Sequence, residues 1–534
     1  MSGMTSVELL DPSGPRRPSE EVEPDPSEFT ELELDQPLAP EPDPQVVRKS
    51  AFRQSLARPT TAVVVGSMVV GAGIRLDVPR GLWLDESFSV AQARMGYGAL
   101  IHNLVTTDVH PPLYFTFLWA TVRLIGHGDF AVRVPSIIAG VVLIPLMYLL
   151  GKEAFDRRTG AVASVIAAFA PFLVWYSQEA RMYEQLMVFS VIAVWAQLRI
   201  FRGGRWPVWV AFTLASIAMM WSQYFGMWQL MTQELVFVGA IVVRWRRHQQ
   251  PGRLLRPWLC STVPLVVAMV PLAFIMNQQF IVHKAAGQAL GASANTVGTA
   301  SLSIYSIITS DNWGVFGFHS NAVMLVLSAL WPFGILGAMA VLGRRSTPTT
   351  YLLCALAVVP MFAMFALGHV KESLFDIRYM ATIVPVILVL AARVITAVAR
   401  RPRALFVVVL LVVAVLCVAL FDQQFSSANP RRYNDREALQ RIDQEARPGD
   451  VILYDPARGF NDLTTYYSPN VRARALTLHP TPPSPGHSIY VVATPQIMVG
   501  TELHTLQAAL GSLGFRHPPA AHWIFAHVQV WVYR

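Results

Sequence analysis

The sequence predicts an all-α polytopic membrane protein of about eleven transmembrane helices, N-terminus inside and C-terminus outside, ending in a small extracytoplasmic α/β domain. Three observations predict it. Of 534 residues, 53% are hydrophobic and only 14% charged, against about 25% charged in soluble domains. Apolar runs near the roughly 20 residues needed to cross a bilayer recur along the chain. Basic residues cluster in the short connections between alternate runs, where the positive-inside rule puts cytoplasmic loops.

Residues 1–58 are expected to form a disordered cytoplasmic tail. Glu, Asp, Pro and Ser dominate it, as in Glu20-Glu21-Val22-Glu23-Pro24-Asp25-Pro26, and little is available to build a core. No basic region followed by an apolar stretch marks a cleavable signal. The flank Arg48, Lys49, Arg53 and Arg58 holds this end inside, and the run Thr60 to Ile74 is the first span. Further runs fall at about 134–151, 161–177, 183–200, 208–223, 226–243, 258–276, 321–342, 351–368, 379–399 and 404–421. Basic clusters at 152–158, 199–205, 244–256, 344–345 and 400–403 separate them in pairs. That parity sends the loops 77–133, 177–181, 277–321 and 369–378, and everything after Asp422, to the outside. The transmembrane domain is therefore 59–421, with its first outer loop at 77–133, and the soluble domain 422–534.

Within the first outer loop, Ser87 to Leu104 reads as an interfacial amphipathic helix. Pro112 to Ile125 reads as a surface helix with proline in its first turn, because counting it as a span would put the later basic clusters outside. In the terminal domain, a helix is expected over Arg436 to Ala446 and another over Glu502 to Leu510. Strands are expected at Val451–Tyr454, Ser488–Val492 and Val528–Tyr533. Cys260, Cys354 and Cys417 are scattered through apolar runs and suggest neither disulfide nor metal site. The net charge of +8 is accounted for by the cytoplasmic loops, so nucleic acid is not an expected partner; the lipid bilayer is.

The outer loops hold the polar residues that topology does not explain. Asp85 and Glu86 follow the first span. Paired carboxylates can supply a general base, and a like charge next door raises the pKa of one of them. Asp108-Val109-His110-Pro111-Pro112 leads in extended form to a helix N-terminus, a favourable place for an anion such as phosphate. Glu179 and Arg181 sit in a tight outer turn, where charges are costly unless paired or facing a cavity. Arg378 opens a late span and has the fork geometry that suits phosphate, although snorkelling at the interface accounts for it equally. His283, Lys284 and Lys371 are weaker anion-binding candidates, and the loop around Trp313–Phe316 is a candidate to cover the site or to bind acceptor. The tail histidines show no zinc spacing.

Taken together, Asp85-Glu86 after the first span, Asp108-Val109-His110-Pro111-Pro112-Leu113, and Arg133-Val134-Pro135-Ser136 opening the second span resemble the GT-C superfamily. The resemblance is to its glycosyltransferase family 39-like branch of protein O-mannosyltransferases and aminoarabinose transferases, and covers residues 60 to 200 best. It implies a membrane glycosyltransferase with a polyprenyl-phosphate sugar as donor at the outer face. It implies Asp85 as catalytic base, with His110, Glu179 and Arg378 as substrate-binding residues; Glu86 and Arg181 join them as substrate-binding candidates by their position alone. In the aminoarabinose transferases a lysine stands where this chain has His110 and handles the lipid phosphate. Leu113-Tyr114-Phe115 departs from the Leu-Gly-Lys continuation of the mannosyltransferases, which argues against protein as the direct acceptor.

The resulting expectation is inverting transfer of mannose or arabinose to a cell-envelope glycan, glycolipid or protein. No cofactor is implied, and a divalent metal is compatible with the chemistry but not indicated by any spacing. The alternative is a transporter or flippase of a lipid-linked envelope precursor, which would show inverted repeats and mid-span charges; neither is visible. A non-catalytic assembly protein would have lost Asp85. The Ala/Val/Arg-rich spans and acidic, proline-rich start are the composition of a high-GC actinobacterial chain.

Overall fold

The computed structural model describes residues 59–78, 80–285, 347–370, 377–425, 434–454, 461–475, 486–493, 511, 519–525 and 528–533. The expected span at 321–342, the loop at 313–316, Lys371, the helix at 502–510, the basic pair at 344–345 and the N-terminal tail lie outside them. So do the side chains of His283 and Lys284.

Eight described helices are long and apolar enough to cross a bilayer: α1 (Pro59–Leu76), α5 (Val134–Ala154, preceded by the 3-10 turn Ala131–Arg133), α8 (Tyr183–Phe201), α10 (Gly226–Arg246), α11 (Gly252–Ala285), α12 (Pro348–Val370), α13 (Val384–Val398, preceded by the 3-10 turn Ile377–Ile383) and α14 (Pro402–Phe425). The pair α6 (Arg157–Phe169) and α7 (Pro171–Ser177) makes a bent ninth, and α9 (Trp206–Ser222) is a shorter apolar helix. Each lies on an expected run. The basic clusters described fall at the helix ends where the parity puts them.

Three expectations change. The first outer loop holds three helices, α2 (Leu84–Ala93), α3 (Tyr97–Thr106) and α4 (Pro112–Leu124). The single helix expected over Ser87 to Leu104 is split where Gly96, extended at φ −62° and ψ 150°, caps α3; glycine gives up the most backbone entropy in a helix interior. Because α2 starts at Leu84, Asp85 and Glu86 both occupy its first turn. Helix α11 also runs on to Ala285, into the expected outer loop, and Arg378 sits in a 3-10 turn rather than at an α-helix start.

The bend between α6 and α7 is 57°, and its cause is local. Pro171 has no N–H, so the Ala167 carbonyl loses its helical partner. Arg75 from α1 supplies the missing donors: Nη2 to Ala167 O at 2.9 Å and Nη1 to Ala168 O at 3.1 Å. Gly140 makes room, since a Cβ there would meet Ser177 Cβ at 2.5 Å and Arg75 Nε at 2.8 Å.

The terminal region adds α15 (Asp435–Glu445), α16 (Asn461–Tyr467) and a five-stranded sheet in the order β2-β1-β3-β5-β4. Strand β1 (Val451–Tyr454) pairs in parallel with β2 (Arg472–Ala475) and β3 (Ile489–Ala493); β5 (Val528–Tyr533) is antiparallel to β3 and to β4 (Ala521–Phe525). The expected strands are present, with β2 and β4 in addition. Strand β2 reads Arg-Ala-Arg-Ala and carries no apolar signal. Helix α16 packs against α2. Gly81 permits the docking, because a Cβ there would meet Arg436 Cβ at 2.7 Å.

Candidate active site

Asp85 sits in the first turn of α2 with its side chain partly open. Arg378 Nη1 lies 3.0 Å from its Oδ2, and Arg181 Nη2 lies 3.9 Å from the same oxygen. The carboxylate thus faces two guanidinium groups brought from distant parts of the chain. Arg181 is nearly buried. Its Nη1 donates to Ser89 Oγ at 3.0 Å and its backbone carbonyl accepts from Ser136 Oγ at 3.1 Å. Burial works against the charge of Arg181, but Asp85, with Asp108 behind it, raises its pKa and keeps it cationic.

His110 is held at both ring nitrogens. Nε2 lies 3.0 Å from Arg181 Nη2 and Nδ1 lies 2.6 Å from Asp108 Oδ1. A guanidinium only donates, so in this arrangement Nε2 accepts and the proton resides on Nδ1, donated to Asp108. His110 therefore orients Arg181 and has no free donor, which differs from the direct phosphate contact expected of it. The helix N-terminus behind it is also poorer in donors than expected, since Pro111 and Pro112 carry no N–H. Gln279 fixes the segment from α11: its Nε2 donates to Leu104 O at 2.7 Å and His110 O at 3.1 Å, and its Oε1 accepts from Tyr224 Oη at 2.8 Å.

Asp108 is buried and accepts from Gln92 Nε2 at 2.7 Å. Burial alone would raise its pKa. Its contact with His110, with the hydrogen bonds from Gln92 and the Val109 N–H, outweighs burial and depresses it to about 2. A carboxylate depressed on folding adds stability that is fully present above its ordinary value near 4 and is lost as pH falls through its folded value. The thermal midpoint of the purified protein is therefore expected to hold from pH 8 to pH 5 and to fall between about pH 4 and pH 2. Asp108→Asn is expected to flatten that fall, and an unchanged acid profile in the variant would remove Asp108 from the account.

Glu86, expected among the substrate-binding residues, lies in the interior. It is fully buried, with Arg133 Nε 2.7 Å from Oε1 and Nη2 2.6 Å from Oε2. Its carboxylate also accepts the Ala180 and Trp83 N–H groups. Burial would raise its pKa, but the Arg133 charge and hydrogen bonds, Arg80 and the Ala180 N–H together hold it below the usual carboxylate range. Glu86 is thus a structural anion, and not the carboxylate that a like neighbour raises. Glu179 is buried too. It accepts from Trp175 Nε1 at 2.6 Å, and its ionic neighbour is Arg80 at 3.8 Å rather than Arg181. The Arg80 guanidinium lies over the Trp175 ring, 3.4 Å from its centroid.

Four of the six sequence-selected residues, Asp85, His110, Arg181 and Arg378, fall in one contact network with Asp108; Glu86 lies beside it with Arg133, and Glu179 with Arg80. Sequence reasoning missed Arg80, Gln92 and Gln279, and gave Arg133 no role in the site. Arg133 had a signal in the Arg-Val-Pro-Ser segment that opens its span; the others had none. Among the described residues no three His, Cys, Asp or Glu side chains are placed to hold a metal ion.

Residues 109–274 match the family model described as dolichyl-phosphate-mannose-protein mannosyltransferase. Over 103 residues the chain is 27% identical to the Bacillus subtilis (strain 168) protein named "Putative mannosyltransferase YkcB"; the match covers 19% of this chain and 14% of that protein's length. The crystal structure of ArnT from Cupriavidus metallidurans superposes with a TM-score of 0.54 at 13% identity, over 90% of this chain and 98% of that one. A second structure of it, bound to undecaprenyl phosphate, gives 0.52 at 13% identity, over 88% and 97%. The Archaeoglobus fulgidus oligosaccharyltransferase AglB, in complex with an inhibitory peptide and a dolichol-phosphate, gives 0.52 at 12% identity, over 85% and 71%. The chain has the GT-C fold. It is a multi-pass membrane protein, and its GT-C bundle carries the Asp85 network at the mouth formed by the outer loops.

Proposed function

We propose that the protein transfers a sugar from a polyprenyl-phosphate donor to an envelope acceptor outside the membrane, with inversion at the anomeric carbon. The observation that carries this is the Asp85 carboxylate held between Arg378 and Arg181. A carboxylate beside two cations at a membrane face can serve an acceptor hydroxyl and a lipid phosphate at once. Arg378 now spends a hydrogen bond on Asp85. An incoming donor phosphate competes for that guanidinium and frees the carboxylate. Asp85 then takes the proton of the acceptor hydroxyl as its oxygen bonds to the anomeric carbon. The bond from that carbon to the phosphate oxygen breaks, and polyprenyl phosphate departs with the electron pair, stabilised by Arg378 and Arg181. His110, held by Asp108, keeps Arg181 in place.

The names of the matched family and of the Bacillus relative support mannose as the sugar, with arabinose as the second choice. The bound undecaprenyl phosphate of ArnT and dolichol-phosphate of AglB support the donor class. We also assign residues 1–58 to a cytoplasmic tail, 59–421 to the catalytic bundle and 422–534 to an extracytoplasmic domain. The deciding experiment compares envelope glycans, glycolipids and glycoproteins by mass spectrometry with and without the gene. One class is expected to lose a sugar, and identical profiles would overturn the reading.

Arg378→Ala is expected to lower transfer by about 10²–10³-fold, the usual loss when one donor to a developing anion is removed. Arg378→Lys should recover only part of it, because an ammonium cannot reproduce the guanidinium fork. Near-wild-type transfer by both variants, assayed with excess donor, would leave Arg378 an interfacial residue with no part in the reaction.

A further inference from the structure

A cleft of about 630 Å³ opens between the first outer loop and the terminal region, and neither Asp85 nor Arg378 lines it. Arg94 and Asp129 line it from the loop; Arg436, Gln440, Tyr466 and Tyr467 line it from α15 and α16. We infer that it is the acceptor site and that it takes a hydroxyl-rich carbohydrate chain; this rests on the transferase reading above.

The lining chooses among ligand classes. A lipid tail needs apolar walls, and these carry charges of both signs. A lone phosphate needs cations, and Asp129 would repel it. A sugar chain matches the set: its hydroxyls both donate and accept, which suits arginine, aspartate and amide groups side by side. A tyrosine ring offers an apolar face beside a polar handle. Arg94 and Gln440 are exposed, and among the described residues their side chains have no hydrogen-bond or ion-pair partner.

The walls are fixed in advance of binding. Tyr466 Oη donates to His127 O at 2.5 Å, Tyr467 Oη donates to Asp129 Oδ2 at 2.9 Å, and Arg436 pairs with the same carboxylate at 3.3 Å. Such preorganisation lowers the ordering cost of a weakly held, flexible ligand. The cleft is also tied to the reaction centre. Tyr467 Oη accepts the Leu82 N–H at 2.6 Å. Leu82 stands three residues before Asp85, no more than about 10 Å along extended backbone. The wall of the cleft is thus hydrogen-bonded to the segment that carries the base.

The test uses the full chain in detergent micelles and saturation-transfer NMR, with mannose oligomers and arabinose oligomers of increasing length as probes. Signal is expected to rise with oligomer length for one series. It should fall in Gln440→Trp, whose indole occludes part of the cleft, and binding should weaken on the order of tenfold in Arg94→Ala, the loss of one or two hydrogen bonds. In transfer assays both variants should raise the acceptor KM and leave kcat unchanged. Absence of binding by either series, or equal binding by the wild type and Gln440→Trp, overturns the proposal. Binding by a chain that transfers no sugar supports the cleft as a glycan site and overturns the transferase reading instead, so the two fail separately.

Discussion

Asp85→Asn is expected to lower sugar transfer by about 10²–10⁴-fold, the range that a general base supplies, and to leave the protein folded in the membrane. The two halves of the prediction rest on different facts. The side chain of Asp85 is partly exposed, and its link to Arg378 is a single contact of 3.0 Å. Pairs of this kind contribute at most about 1 kcal/mol to stability, so the folded fraction should not fall. Asparagine keeps the shape of the side chain and can still accept from Arg378, but it cannot take the proton of an attacking hydroxyl. Donor binding should therefore survive. Polyprenyl-phosphate sugar titrated into purified Asp85→Asn should bind as in the wild type, with transfer read separately by mass spectrometry of the acceptor. Near-normal turnover in that variant would sink Asp85 as the base.

What was legible in the sequence was whatever depends on nearby residues. Span positions follow from apolar runs and basic flanks, both local, and the described helices lie where those signals put them. Asp85 was legible as a residue because a carboxylate after an outward-going span has no topological duty. Its partners were not readable from spacing. Arg378 lies 293 positions away, and only bundle packing brings the two together. The family resemblance, not residue spacing, was what drew both into one site. Adjacency misled in the other direction. Asp85 and Glu86 look like one unit in a string, but successive residues on a helix differ by roughly 100° in direction. One turns to the open mouth and the other into the interior. Similarly, Glu179 and Arg181 sit two apart and suggest a pair. The tight turn sends Glu179 toward Arg80 and Arg181 toward His110, a separation invisible to spacing.

Arg133→Met is the substitution expected to damage the fold most. It leaves Glu86 as an uncompensated charge in a site with no exposed surface, which typically costs about 3–5 kcal/mol. It also strips the donors from the Arg80 and Gly81 carbonyls, which Arg133 holds at 2.9 and 2.8 Å. Those carbonyls belong to the segment that leads into Leu82 and Asp85. Loss of the pair should thus loosen the base, the docking of Tyr467 on Leu82 and the turn at Ala180 together. Heating detergent-solubilised protein and measuring the soluble monodisperse fraction should show a lowered midpoint for Arg133→Met, a comparable drop for Glu86→Leu, and a smaller drop for the double variant than for the sum. The non-additivity is the informative part, since a removed charge penalises its partner only while that partner remains. Simple addition of the two losses would mean that Arg133 and Glu86 stabilise the loop independently. The account of Glu86 as the buried counter-charge that holds the Asp85 helix in place would then be wrong.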